Sequence, residues 1–282
     1  MKNIKRIVVG LDIFDKSNKV LKRALLLAET KKAELFVINA VETPWFSMPS
    51  FFGSEDIKVD IEGTVDKIDK QIKKLNKDLN VPTFVVVKEG NPVDILLYEA
   101  KLLKADMIVI GTQSKKKVLG STVEKVVHQS HLPVLVVKNA VKGSYKNIVA
   151  PTDFERQSKL SIMFAKRLFS KVNIKPVHSL EEIYIDGPYS IMDTDLTTYN
   201  RTARVYAQQA LNELAKDLSL QKGKILDGAL NNKKALITYL NKSGYDLVVL
   251  GSQGTSGVSA LLGSMALSIV RETSTDVLVY VP

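Results

Sequence analysis

The chain twice carries an apolar run that ends in an aspartate: KRIVVGLD at residues 5–12 and KNIVAPTD at residues 146–153. A second pair repeats at almost the same interval, with ADMIVIGTQ at residues 105–113 and YDLVVLGSQ at residues 245–253. The offsets are 141 and 140 residues. Self-similarity at a fixed period indicates a repeated structural unit, so the 282 residues are expected to form two tandem domains.

Each copy alternates two kinds of segment. In the first copy, β-branched runs near 5–11, 34–40, 83–88, 106–110 and 133–137 alternate with segments of helical period near 17–30, 62–79, 92–103 and 121–129. The runs are apolar throughout, which is typical of parallel strands covered on both faces. We therefore predict an α/β fold of two tandem doubly wound five-stranded parallel sheets, with domains at residues 1–140 and 145–282.

The composition excludes several classes of protein. Hydrophobic residues make up 45% and charged residues 25% of the chain, which is the balance of a soluble globular protein. There is no cysteine, so neither disulfides nor thiolate metal sites are available. The first apolar run is interrupted by Gly10 and Asp12, too early for a signal peptide or a membrane span, and we expect a cytoplasmic protein.

The net charge of +10 does not by itself indicate a nucleic-acid partner. Lysines occur as dispersed pairs, such as residues 31–32, 73–74 and 233–234, with no aromatic residues interleaved among them. A surface on which bases stack combines a basic stripe with aromatic side chains. We expect a solvated basic surface, with neither nucleic acid nor a membrane as partner.

A glycine-rich turn follows the strand predicted at residues 246–250. It reads GSQGTSG at residues 251–257, and Gly263-Ser264 then opens a helix. Glycine lets main-chain amides approach an anion, a helix N-terminus favours negative charge, and Ser264 is expected to cap this helix. The turn is suited to a nucleotide phosphate, although any tight connection between a strand and a helix also uses glycine.

Taken with Pro151-Thr152-Asp153-Phe154, this turn resembles the universal stress protein family of ATP-binding α/β proteins, and the likeness covers the whole chain as two tandem domains. The family motif is Gly-x-x-Gly, nine residues, then Gly followed by Ser or Thr; here Gly254 and Gly263 enclose eight. The resemblance implies an adenine nucleotide alpha hydrolase-like fold. It also implies an adenine nucleotide as ligand, ATP or AMP, with Mg²⁺ as a candidate companion ion.

The same resemblance implies which residues contact the nucleotide. Asp153 would lie near the ribose, Ser179 near the adenine, and the glycines with Ser264 near the phosphates. On its own, Asp153 is more typical of a turn or a helix cap. No catalytic or metal-binding residue is assigned, and the candidate nucleotide-binding residues are Pro151, Thr152, Asp153, Ser179, Leu250, Gly251, Ser252, Gly254, Gly263, Ser264 and Met265.

The first copy departs from the motif. Ser114 stands where the second glycine is expected, and only five residues separate it from Gly120. We therefore expect the first domain to bind nucleotide weakly or not at all. In the related proteins the last strand pairs across a dimer axis, so the resemblance implies an intramolecular pseudo-dimer of the two domains, and it leaves room for a further homo-dimer.

Three functions stay open at this point. The resemblance favours a non-catalytic nucleotide-binding protein of the stress response, which changes its contacts with an unnamed protein partner according to ligand state. A slow ATP hydrolase is the second hypothesis, but no GxxxxGK[ST] loop occurs and no nucleophile can be paired with a base. The histidines His128, His131 and His178 have no metal-ligand spacing. The third hypothesis is an interaction module that no longer binds nucleotide.

Overall fold

The structure is a computed structural model that describes residues 3–13, 18–42, 60–112, 122–169, 172–181, 193–228, 231–252 and 262–282. The chain divides into two compact units, Met1–Ser144 and Tyr145–Pro282. The described residues of each unit form a parallel five-stranded sheet with helices between the strands. The predicted fold class, two tandem α/β domains, is confirmed.

The first unit alternates strands and helices along the chain. Its strands are β1 (Arg6–Gly10), β2 (Glu34–Val41), β3 (Thr83–Glu89), β4 (Met107–Gly111) and β5 (Val134–Val137). Its helices are α1 (Lys19–Lys31), α2 (Ile61–Asn76), α3 (Pro92–Leu102) and α4 (Thr122–Gln129). The strands lie in the order β3-β2-β1-β4-β5, and every described pairing is parallel.

The second unit repeats this plan. Its strands are β6 (Asn147–Pro151), β7 (Asn173–Leu180), β8 (Lys224–Asp227), β9 (Leu247–Gly251) and β10 (Asp276–Tyr280). Its helices are α5 (Arg156–Leu168), α6 (Asp193–Asp217), α7 (Asn232–Lys242) and α8 (Ser264–Glu272). Its strand order, β8-β7-β6-β9-β10, matches the order β3-β2-β1-β4-β5 of the first unit, with β6 in the place of β1.

The central strands are buried on both faces. Ile7, Val8 and Val9 of β1 have no solvent exposure, and the same holds for residues 148–150 of β6. A strand covered on both faces has no polar side to alternate with, which explains why these runs are apolar throughout. The predicted strands of the first copy agree with the structure to within one residue at each end.

Helix α2 ends earlier than its periodicity predicts. The apolar spacing extends the predicted helix to residue 79, but α2 ends at Asn76. The Asn76 side chain accepts a hydrogen bond from Val81 N–H (3.0 Å) and donates one to Val81 C=O (2.8 Å). These two bonds turn the chain toward β3, so a contact between side chain and main chain overrides the helical pattern.

An aspartate clamps the start of the central strand in both units. Asp106 Oδ2 accepts hydrogen bonds from the main-chain N–H groups of residues 5–6, at 2.7 and 2.9 Å. Asp246 Oδ2 does the same for residues 146–147, at 3.0 and 2.9 Å. The repeat makes these aspartates visible in the sequence, and the structure supplies their role. Among the described helices, none is both long and apolar enough to cross a bilayer.

Candidate functional site

The carboxyl ends of β6 and β9 flank the point where strand order reverses in the second unit. The chain passes from β6 to β7 on one side of β6 and later enters β9 on the other side. In doubly wound sheets, ligands bind in the crevice that such a reversal opens. Pro151 ends β6 and Gly251 ends β9, so the structure brings these two predicted residues to the two sides of one crevice.

Thr152 fixes the turn that follows β6. Its side chain is buried, and its Oγ1 lies 2.9 Å from Ser158 Oγ and accepts a hydrogen bond from Phe154 N–H at 3.0 Å. Its main-chain N–H donates to Val177 C=O at 2.9 Å. The polar groups of Thr152 are thus engaged within the protein, and the residue positions the turn.

Asp153 is the exposed member of this turn. Its Oδ1 accepts a hydrogen bond from Glu155 N–H at 3.0 Å, which closes a turn over two residues. Glu155 is the N-cap of α5, and its own side chain makes no capping bond. Asp153 therefore acts as a turn residue while its carboxylate stays exposed to solvent at the carboxyl edge of the sheet.

His178 buttresses the same turn from β7. Its Nδ1 lies 2.8 Å from Thr152 C=O, and because a carbonyl only accepts, Nδ1 carries the proton. The ring packs against the ring of Phe154, with centroids 4.5 Å apart. In the first unit, Asn39 Nδ2 donates to Leu11 C=O at 2.7 Å from the equivalent position. Aligning the two copies by strand register rather than by residue identity would have paired Asn39 with His178.

Ser179 presents an unpaired donor and an unpaired acceptor at this edge. Alternate residues of a parallel strand direct their N–H and C=O groups to the same neighbour. Val177 C=O accepts from Thr152 N–H on the β6 side, and Leu180 C=O accepts from Gly228 N–H on the β8 side, both at 2.9 Å. The main-chain groups of Ser179 thus face β6 just beyond its last residue, where the described part of the chain offers them no hydrogen-bond partner.

The Ser179 side chain is directed elsewhere. Its hydroxyl lies 3.3 Å from both the main-chain oxygen and the side-chain amide of Asn232, the first residue of α7. The side chain thus contacts α7, whereas the main chain faces the crevice. The structure thus places Ser179 beside the crevice, and the groups that it directs there belong to its backbone; its expected contact with adenine stays a prediction.

Leu250, Gly251 and Ser252 line the other side of the crevice. A Cβ on Gly251 would lie 2.6 Å from the main-chain oxygen of Gln157, so α5 passes too close for any side chain. Ser252 is 1% exposed, and its N–H donates to Tyr280 C=O at 2.9 Å. Its hydroxyl has no partner among the described residues. Buried polar groups normally have a hydrogen-bond partner, and the residues that directly follow Ser252 lie outside the described ranges.

Helix α8 opens on an uncapped N-terminus. The sequence predicts Ser264 as its cap, and this is corrected by the structure: Gly263 is the N-cap residue, Ser264 is the first helical residue, and no side chain among the described residues caps the helix. Ser264 Oγ is therefore one position too far along the chain to reach back to the first-turn amides. The N–H groups of residues 264–266 have no acceptor within the helix. Gly254 and the rest of residues 253–261 lie outside the described residues, as do residues 113–121 of the first unit.

The first unit has the same frame with different groups. Leu11 stands in the place of Thr152 and has no hydroxyl with which to bond the turn. A Cβ on Gly111 would meet Val20 Cγ2 at 2.3 Å, where the equivalent Gly251 faces main-chain atoms. Within the described ranges of both units, no three His, Asp or Glu side chains are grouped to hold a metal ion.

Comparisons with known proteins agree over the whole chain. The model of the Universal stress protein family matches residues 3–138 and 144–281. Universal stress protein MJ0531 of Methanocaldococcus jannaschii is 32% identical over 143 residues, which cover 49% of this chain and 84% of the relative. Universal stress protein A homolog 2 of Coxiella burnetii is 29% identical over 152 residues, 51% of this chain and all of the relative.

A solved structure extends the similarity to both units. The match to the crystal structure of a universal stress protein from Archaeoglobus fulgidus covers 98% of this chain and 95% of the chain in that structure. The two sequences are 16% identical, and the TM-score is 0.67. At that identity the similarity concerns the fold.

Proposed function

The chain belongs to the universal stress protein family, with one family domain in each half, and we propose that its second unit binds an adenine nucleotide, ATP or AMP. The protein acts in the stress response without turning the nucleotide over. Its contacts with a protein partner change with ligand state. The first unit binds nucleotide weakly or not at all and chiefly completes the structure.

The main-chain N–H and C=O of Ser179 carry this proposal. Adenine presents an acceptor at N1 beside an amino donor at N6, so one backbone donor and one backbone acceptor at the crevice match it. Guanine carries a carbonyl at position 6 where adenine has its amino group. The donor and the acceptor that would complement guanine therefore stand in the reverse order. Ser179 therefore favours adenine over guanine, in agreement with the ligand that the family resemblance implies.

The start of α8 supplies the phosphate site. The amides of residues 264–266, which have no acceptor within the helix, and the positive end of the helix dipole favour an anion. The buried Ser252 hydroxyl just beyond the end of β9 can donate a hydrogen bond to a phosphate oxygen. Mg²⁺ enters this proposal only as the ion that a triphosphate carries.

Asp153 supplies the ribose contact. Its exposed carboxylate can accept hydrogen bonds from the ribose hydroxyls, and Thr152 and His178 hold the turn that presents it. The two copies offer a matched comparison, because Asp12 is the counterpart of Asp153 and Thr112 is the counterpart of Ser252.

Isothermal titration of ATP, ADP and AMP into the full chain tests the proposal. We expect one site per chain, weakened by about tenfold or more in Asp153→Ala, since a hydrogen bond to a charged group contributes roughly 1.5–3 kcal/mol. Ser252→Ala and Gly263→Val should weaken the same site, because both change the phosphate end. Asp12→Ala and Thr112→Ala, the matched controls, should leave it unchanged.

Each other outcome has a defined meaning. No binding heat with any adenine nucleotide would overturn the proposal and favour an interaction module. Sustained release of phosphate from ATP, abolished in Asp153→Ala, would favour the slow hydrolase instead. Equal affinities for ATP and GTP would contradict the base contact assigned to Ser179.

A further inference from the structure

The edge strand β3 and the helix α3 that follows it carry exposed apolar side chains. Phe84 of β3 is 47% exposed, and Tyr98 and Leu102, one turn apart on α3, are each 61% exposed. We call Phe84, Tyr98 and Leu102 the β3 patch. Phe84 stacks on Phe36 of β2 with ring centroids 4.9 Å apart, so it is held at the surface by an ordered contact.

The fold itself does not require these apolar residues. By helix capping, Thr238 and Lys242 of the second unit are the counterparts of Tyr98 and Leu102. The chain that leads into β8 carries Gln221 and Lys222 in the region that corresponds to the start of β3. All four of these polar residues are exposed. The same architecture is thus built with a polar edge in one unit and an apolar edge in the other. Apolar side chains gathered on a surface mark a contact with another molecule.

The backbone of β3 is open along the same edge. Leu35 N–H donates to Pro82 C=O at 2.9 Å, and Gly90 N–H donates to Val41 C=O at 3.1 Å, so the even-numbered residues of β3 bond to β2. The odd-numbered residues direct their N–H and C=O groups outward. In the described structure, these groups have no partner; they belong to Thr83, Val85, Val87 and Glu89.

The lysine on this edge is engaged within its own unit, although its side chain is still 46% exposed. A lysine on an edge strand normally discourages pairing with another chain. Lys88, however, donates a hydrogen bond to the buried carboxylate of Glu99, and its ammonium lies 5.6 Å from the centre of the Tyr98 ring. The second unit instead shortens its edge strand, β8, to the four residues Lys224–Asp227, which is a common protection of an exposed edge.

The strand is complementary to itself when two copies run antiparallel. Full overlap of the seven residues of β3 centres the two-fold axis on Val86. That register places no like charges opposite each other, and its hydrogen-bonding residues are the odd-numbered ones that are free. The opposed pairs are Thr83 with Glu89, Phe84 with Lys88, Val85 with Val87, and Val86 with itself.

We infer that β3 is a homodimerisation edge, at which two copies of this chain pair antiparallel about Val86 and bury the β3 patch between them. A two-fold contact of this kind uses the same surface on both chains. We take the partner to be a second copy of this chain, because β3 pairs with itself in this register without opposing like charges. This inference does not depend on nucleotide binding.

The mass of the chain in solution tests the inference. We expect sedimentation velocity of the full chain, from micromolar to millimolar concentration, to shift from 31.2 kDa toward twice that mass. The triple variant Phe84→Lys, Tyr98→Thr, Leu102→Lys replaces these apolar side chains with polar ones of the kind found in the second unit and should raise the dissociation constant by about tenfold or more. Tyr206→Lys removes an aromatic residue that is 67% exposed on α6 and should leave the dimer unchanged.

A disulfide tests the register independently of that variant. The chain has no cysteine, so Val86→Cys introduces a single thiol. Facing residues of a non-hydrogen-bonded antiparallel pair lie about 4.5 Å apart between Cα atoms, within disulfide range. We expect Val86→Cys to form a covalent dimer on mild oxidation. Thr83→Cys on the same strand should not, since two copies of residue 83 would lie about 20 Å apart.

Three results would overturn the inference. A chain that stays at monomer mass over the whole concentration range excludes the dimer. A triple variant that keeps its helical circular dichroism and dimerises like the unchanged chain excludes the β3 patch. Equal oxidation of Val86→Cys and Thr83→Cys excludes the proposed register.

Discussion

At the scale of single residues, the two units differ in what their strand-ending glycines touch. Gly251 lies against the main chain of Gln157, whereas Gly111 lies against the side chain of Val20. A side chain can change its rotamer or shift, while a main-chain oxygen within a helix has little room to move. A side chain at this position is therefore tolerated less well in the unit that we propose binds the ligand.

Gly251→Ala should therefore destabilise the protein more than Gly111→Ala. The added methyl group would sit 2.6 Å from Gln157 O, and overpacking of this kind costs about 1–3 kcal/mol of unfolding free energy. Urea unfolding followed by circular dichroism measures both variants. Equal losses would contradict the distinction between main-chain and side-chain contact.

The aspartate clamps allow a second prediction at this scale. Asp246→Ala removes the acceptor of two main-chain N–H groups at the start of β6. We expect a loss of about 1 kcal/mol, below the usual value for a bond to a charged group because the site is exposed and solvent screens it. Asp217→Ala at the exposed end of α6 is the control in the same urea titration. If Asp246→Ala is no less stable than this control, the aspartate does not clamp the strand.

At the scale of elements, a pair of tyrosines joins α7 to the connection that leads into β9. The hydroxyls of Tyr239 and Tyr245 lie 2.9 Å apart, and Lys224 of β8 lies 4.6 Å from the centre of the Tyr239 ring. Burial, followed by the hydrogen bond to Tyr239, raises the pKa of Tyr245. Burial also raises the pKa of Tyr280 in β10.

These shifts predict a loss of stability in alkali. A raised pKa means that the folded chain holds its protons above the ordinary tyrosine value of 10.0, where the unfolded chain has begun to release them. The free energy of unfolding therefore falls as pH rises through and beyond that value. Urea midpoints at rising pH, with phenolate absorbance recorded in parallel, measure the effect. Tyr245→Phe should flatten the dependence, and an unchanged slope would argue against it.

The strands were predictable from the sequence, whereas the helix ends and the site geometry were only partly so. Central strands buried on both faces leave an unmistakable apolar run. The end of α2 depends on an Asn76 contact that no periodicity reports. The role proposed for Ser179 depends on its main-chain groups, and only strand register shows that these face the crevice. Phe84 is apolar like a core residue, and its exposure can be predicted only when the strand order is known.

At the scale of the whole molecule, the proposed nucleotide should protect one unit and not the other. A ligand whose free concentration is a hundred times its dissociation constant stabilises the folded state that it binds by about 2.7 kcal/mol. Hydrogen exchange of the full chain with saturating ATP should slow β6 and β9 of unit 2, while β1 and β4 of unit 1 exchange as before. Equal slowing in both units would contradict the asymmetric assignment.

The aspartate clamps also constrain the order in which the chain is assembled during synthesis. The carboxylate of Asp106 bonds to residues about 100 positions earlier, and β1 pairs with β4 across the same interval. The central strand of the first unit must therefore wait for most of that unit to leave the ribosome. Long-range pairing of this kind slows folding, and domains generally fold as units with the N-terminal one first. Unit 1 should accordingly fold on the ribosome in one late step, before the strands of unit 2 emerge as competing partners.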